Sequence, residues 1–335
     1  MQSITLANKR GIYRFNPVLL RQILLSDINP LANADINILT LALGYLARWH
    51  KHFFYSASLI FIPYKALLRY YIRDKLIFLK VIFIMKTEIP NLWIKCPQSN
   101  PQANLRLFCL PYAGGGTSIF RLWPRELPSN VELCAIELPG RENRLREQPI
   151  SNLEILTDKL VEVFLQHLDK PFAIFGHSMG ALIAYDLARK LQQRNVNPVY
   201  LFVSGRPAPN LPEIYSPIHL LPNAEFIEKL TKVYSAIPDV VLKDEELMEL
   251  FLPVLRADLT LVETYIHCQV EPLDCPIFAL GGLEDKEASH HYLAPWGEYT
   301  RSSFSVQMFP GGHFYLNENR QLLLQFLSET LKDYL

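Results

Sequence analysis

Phe172-Ala-Ile-Phe-Gly-His-Ser-Met-Gly-Ala-Leu-Ile-Ala-Tyr185 contains an apolar run that breaks at Gly176-His177-Ser178-Met179-Gly180 and passes at once into helix-like sequence. Phe172 to Phe175 suits a buried parallel strand. Beyond the break, Ala181, Leu182, Ala184, Tyr185, Leu187, Ala188 and Leu191 recur at helical spacing. The expectation is strand, sharp turn, helix. Ser178 is the centre of a G-x-S-x-G pattern, whose glycines let two backbone segments approach while the serine takes a strained turn that exposes its hydroxyl. An ordinary Gly-rich turn with an incidental serine is the competing reading, and the strand before and helix after argue against it.

Working outward, short apolar runs alternate with helical patterns from Leu105 onward, which predicts a mostly parallel sheet flanked by helices. Strands are expected at Leu105–Leu110, Val131–Glu137, Phe172–Gly176, Pro198–Ser204, Pro276–Leu280 and Ser303–Phe309, and helices at Ser151–His167 and Asn317–Leu335. The link between Ser204 and Pro276 is too long for a simple crossover. Its helical patterns at Asn223–Tyr234, Lys243–Leu252 and Pro253–Tyr265 suggest a helical lid over about 207–272, with a plain packing insertion as the alternative.

A serine hydroxyl needs a base to take its proton, and the base needs a third group to orient it. Asp285, in Gly281-Gly-Leu-Glu-Asp285, and His313, in Pro310-Gly-Gly-His-Phe314, each follow a predicted strand. The order Ser178, Asp285, His313 is that of the α/β-hydrolase fold. Glu284 and Asp258 compete as the acid, although Asp258 falls in the lid helices. His177 is expected to turn away from Ser178 by strand alternation, and His167, His219, His267, His290 and His291 lie in helices or the insertion. The oxyanion hole is expected from the backbone N–H groups of Met179 and Ala113, the latter in Leu110-Pro-Tyr-Ala-Gly-Gly-Gly116, with Gly114 as the alternative donor. That glycine run has neither a Gly-Lys-Ser/Thr ending nor G-x-G-x-x-G spacing, so a phosphate cradle is disfavoured.

The 335 residues carry no net charge, but 11 Lys/Arg against 3 Asp in residues 1–84 are joined to 22 Lys/Arg against 30 Asp/Glu in 85–335. An acidic globular part argues against nucleic acid as a partner. Cys96, Cys109, Cys134, Cys268 and Cys275 are odd in number and lack C-x-x-C spacing, which suggests buried free thiols in a reducing, cytoplasmic setting. No metal is expected, for want of ligand spacing, and no cofactor.

Residues 1–84 contain no Glu and hold two apolar runs, Ile36–Ala47 and Phe53–Tyr64, split by Arg48, His50, Lys51 and His52. Each is shorter than a membrane span. Tyr64–Lys75 is basic and amphipathic, so membrane contact by 1–84 is a weaker alternative to an upstream stretch ahead of an ordinary domain start at Met85, or next to that a disordered or weakly helical appendage.

Taken together, Leu110–Gly116, Leu138-Pro-Gly-Arg-Glu142 with Arg144, Gly176–Gly180, Ser204-Gly-Arg206, Leu255-Arg-Ala-Asp258, Gly282 with Asp285, Trp296 and Pro310–Phe314 make the chain from about Pro90 to Leu335 resemble the free-standing type II thioesterases of nonribosomal peptide and polyketide synthesis. The resemblance implies an α/β-hydrolase fold and a Ser178–His313–Asp285 triad. It also implies an acyl or peptidyl carrier protein bearing 4'-phosphopantetheine as partner and editing of its thioesters through an acyl-enzyme; a monomer is expected. A medium-chain fatty acyl-carrier-protein thioesterase and a general esterase or lipase are the alternatives. Residues 1–84 depart from the family pattern.

Overall fold

The computed structural model describes residues 4–8, 11–15, 92–212, 215–231, 244–268 and 270–334. The chain divides into two compact units, Met1–Ile89 and Pro90–Leu335. In the first, β1 (Ile4–Asn8) pairs antiparallel with β2 (Gly11–Phe15). The apolar runs at 36–47 and 53–64, the basic stretch 64–75 and the start at Met85 lie outside the described residues.

The second unit is built on a seven-stranded sheet: β3 (Ile94–Lys95), β4 (Leu105–Leu110), β5 (Val131–Ile136), β6 (Phe172–His177), β7 (Leu201–Ser204), β8 (Ile277–Gly282) and β9 (Phe304–Phe309). Their spatial order is β3-β5-β4-β6-β7-β8-β9, with β3 antiparallel to β5 and every other pair parallel. β3 was not foreseen, because two residues are too few to show a period. β7 begins at Leu201 rather than Pro198: proline has no N–H for the ladder, and Val199 and Tyr200 only bond to the start of β6, Val199 N–H to the Phe172 carbonyl at 2.8 Å.

Helices α1 (Leu153–Phe164) and α2 (Met179–Gln192) pack on one face of this sheet, whereas the carboxyl-terminal helix covers the other. Along β4, Phe108 and Leu110 enter the first core and Leu105, Leu107 and Cys109 the second. Burial on both faces is why the strand reads as a continuous apolar run. α1 starts at Asn152, whose side chain accepts the Ile155 N–H as a cap.

The insertion between β7 and β8 carries α3 (Asn223–Lys229) and α4 (Glu245–Glu263). Two helices meeting at Leu252/Pro253 were expected, but α4 runs unbroken through Pro253. Pro253 is exposed, with partly buried Leu247, Met248, Phe251 and Leu252 before it and the buried stripe Val254, Leu255, Leu259, Leu261 and Val262 after it. With Ile218, Phe226 and Leu230, Leu255 and Leu259 form a small separate core that touches Ala113. Beyond β8 come α5 (His290–Leu293), α6 (Tyr315–Glu318) and α7 (Arg320–Leu331). The predicted helix 317–335 is thus two helices broken at Asn319.

Cys109, Cys134 and Cys275 are buried, but Cys96 is half-buried and Cys268 exposed, correcting the expectation of buried thiols for those two. Cys268 sits in the non-helical stretch after α4, where no apolar neighbour spacing governs it. No helix among the described residues is long and apolar enough to cross a membrane.

Candidate active site

In the ladders, Leu110 pairs with Gly176, His177 with Ser204, and Gly282 with Phe309, so the carboxyl ends of β4, β6, β7, β8 and β9 are level. The loops that follow therefore converge. The chain leaves β4 outward to β5 and returns on the other side to β6, which makes the β4/β6 edge the crevice where open α/β sheets bind ligands.

Ser178 occupies that crevice with φ 54° and ψ −113°, a conformation rare outside glycine. It is held by its N–H, which donates to the Ser204 carbonyl at 2.7 Å. The flanking glycines are required by contact: a Cβ on Gly176 would lie 2.1 Å from the Gly180 carbonyl oxygen, and one on Gly180 2.3 Å from that of Leu110. Met179 opens α2, so its N–H has no acceptor within the helix.

His313 follows β9 and its Nδ1 lies 2.8 Å from Asp285 Oδ2. Asp285 is buried, and its other oxygen accepts the N–H groups of Glu287 at 2.9 Å and Ala288 at 3.2 Å. Burial pushes the Asp285 carboxyl up, but the His313 hydrogen bond and charge, with the two N–H donors, together outweigh it and hold the group below the usual carboxylate range. Glu284, the neighbouring alternative, is exposed. Asp258 lies elsewhere, bound to Arg141.

Ala113, Ser178, Met179 and His313 line one pocket, a cavity of about 70 Å³ that Leu255, Leu259 and Val262 of α4 also line. In the glycine loop, the Gly115 N–H donates to the Tyr112 carbonyl at 2.9 Å and the Gly114 N–H to Asp258 Oδ2 at 2.8 Å. Gly114, the alternative oxyanion donor, is thus already engaged.

His177 is fully buried, its Nδ1 2.7 Å from Ser204 Oγ, which in turn meets the Tyr315 hydroxyl at 2.5 Å. Its ring centroid is 5.1 Å from that of His313. Burial, and then the nearby His313, drive its pKa well below the usual histidine value, so it is a neutral packing and hydrogen-bonding group under the site. Sequence reasoning did not find this chain of three or the Arg141–Asp258 contact. Both join residues far apart in sequence, and only their membership in separate motifs was visible.

The thioesterase domain profile matches residues 105–331. The chain is similar to the gramicidin S biosynthesis protein GrsT of Aneurinibacillus migulanus, 44% identical over 243 residues that make up 72% of this chain and 94% of that protein. It is also similar to the thioesterase PikA5 of Streptomyces venezuelae, 37% identical over 246 residues, 72% of this chain and 86% of the other. Among solved structures, the type II thioesterase BorB from the borrelidin biosynthetic cluster superposes with a TM-score of 0.66 at 34% identity, covering 72% of this chain and 98% of BorB.

Proposed function

Because the chain belongs to the thioesterase domain family and is a hydrolase, we propose that it clears acyl groups from thioesters on the 4'-phosphopantetheine arm of carrier proteins, as an editing enzyme of nonribosomal peptide or polyketide synthesis. The observation that carries the chemistry is the convergence of Ser178, His313 and two backbone segments on one pocket, with His313 held by Asp285.

His313 takes the Ser178 proton as Oγ attacks the thioester carbonyl carbon. The oxyanion is received by the N–H groups of Ala113 and Met179, each worth about 3–4 kcal/mol to the transition state. The C–S bond breaks, the thiolate leaves with the proton from His313, and water activated by the same imidazole then releases the acid from the Ser178 ester. Asp285 fixes the imidazole tautomer and stabilises its positive charge.

The names of the relatives, in gramicidin S biosynthesis and the borrelidin cluster, support a carrier-bound substrate. The proposed working unit is the monomer.

A panel of acyl-loaded carrier proteins, matched against simple oxygen esters, tests this reading. Acyl-loaded carriers should be hydrolysed in preference to the oxygen esters, and Ser178→Ala should lower kcat by about 10⁴-fold or more. Good ester turnover with untouched carrier thioesters would sink the substrate assignment. Activity that survives in Ser178→Ala would sink the nucleophile.

A further inference from the structure

Leu138-Pro-Gly-Arg-Glu142 and Leu255-Arg-Ala-Asp258 have no part in the acyl-transfer steps, yet the fold joins them on the loop that carries Ala113. Asp258, on α4, is 2% exposed and Arg141 7%. Arg141 Nη2 donates to Asp258 Oδ1 and Nη1 to Oδ2, each at 2.8 Å, a two-pronged pair. The same Oδ2 accepts the Gly114 N–H at 2.8 Å, and the same Nη1 donates to the Gly115 carbonyl at 3.0 Å. Glu142 holds the far end of the loop, its carboxylate accepting the Thr117 hydroxyl and, at 2.9 Å, the Ser118 N–H. Gly114 has φ +76°, and Leu255 of α4 stands 2.5 Å from where its Cβ would be.

Burying two charges is unfavourable unless their remaining donors and acceptors are met. Here they are met by the backbone of the glycine loop and, at Arg141 Nε, by the Pro139 carbonyl at 3.4 Å. An apolar contact would pack α4 equally well but would leave the Gly114 N–H without an acceptor and the 113–114 peptide plane without a fixed orientation. That plane adjoins the Ala113 residue whose own N–H faces the substrate in the mechanism above.

We propose that Arg141 and Asp258 are positioning residues for the oxyanion hole, and that through them the seating of α4 over the pocket sets the Ala113 donor. This rests on the reading of Ser178 as nucleophile and Ala113 as donor. Binding under α4 and stabilisation of the oxyanion are then one linked event.

The test uses the full chain and three probes: a short acyl-carrier thioester, a trifluoromethyl ketone analogue that adds Ser178 to form an oxyanion, and an inert thioether analogue. Asp258→Ala should lower kcat by about 100-fold with KM changed less than about threefold, and weaken the ketone in parallel while sparing the thioether. Asp258→Asn keeps an acceptor oxygen but not the charge; it should lose about tenfold in kcat with the same ketone pattern, and serves if the alanine variant does not fold.

Glu132→Gln breaks a comparable pair, Arg106 Nε to Glu132 Oε2 at 2.7 Å, at the opposite ends of β4 and β5. It should lower Tm and leave kcat unchanged. If at equal loss of Tm the Asp258 variants lose no more kcat than Glu132→Gln, or if ketone and thioether weaken equally, the pair is structural only and the proposal is overturned. Ser178→Ala that still hydrolyses the thioester identifies the other failure, that of the nucleophile, and both readings then fall.

Discussion

Asp285 does at residue scale what a buried carboxylate ordinarily resists: it stays ionised, because His313 and the N–H groups of Glu287 and Ala288 together outweigh the cost of burial. Its folded pKa lies below the unfolded one. The stability it contributes is therefore complete above the unfolded carboxylate pKa and is lost as pH falls through the folded value. The difference in Tm between the wild type and Asp285→Asn should accordingly be largest at neutral pH and shrink towards about pH 3. A difference that is constant across that range would show that the carboxylate is not held ionised by these partners. The same paired geometry explains why Asp285 was legible from sequence: it needs only to follow a strand at the right place in chain order. Glu284, one residue earlier, is equally acidic in sequence, and only the loop's path buries one and exposes the other.

At the scale of elements, α4 is the piece that sequence punctuation misplaced. Pro253 reads as a boundary because it lacks an N–H and crowds the preceding turn. In the fold it is a local flaw in one 19-residue helix, with partly buried Leu247, Met248, Phe251 and Leu252 before it and the buried stripe from Val254 to Val262 after it. Pro253→Ala restores the donor and should raise stability by about 1–2 kcal/mol, after the looser unfolded chain is counted. A chemical or thermal melt reads this directly, as a Tm higher by a few degrees. An unchanged or lower Tm would mean that the proline bend itself is needed to fit α4 onto the small core of Phe226, Leu230, Leu255 and Leu259. Strand β3 and the break at Asn319 were missed for related reasons: two residues carry no period, and α6 and α7 share one apolar pattern across the interruption.

For the whole molecule, the family match, the pocket and every candidate site residue fall within Pro90–Leu335. We propose that residues 1–84 are dispensable for catalysis. A chain beginning at Met85 should keep kcat/KM within about twofold of the full chain, as independently folding domains do. A larger loss would place the amino-terminal residues in the catalytic machinery. Sedimentation of both chains with anionic vesicles tests the membrane alternative, in which only the full chain should pellet.

The sequence by itself determined the parallel sheet, the elbow at Ser178 and the candidate partners Asp285 and His313. Those features are written locally, in apolar runs of strand length and in glycines and polar residues placed just after them. Only the tertiary structure decided that the Gly114 N–H is already engaged by Asp258, that Asp258 on α4 belongs to Arg141, and that His177 rests on Ser204 and Tyr315. Each of these is a pairing of buried or part-buried polar atoms across 27 to 144 positions of chain. Such pairings leave no periodic trace in the sequence, because burial obliges a polar group to find a partner but does not say where along the chain that partner lies.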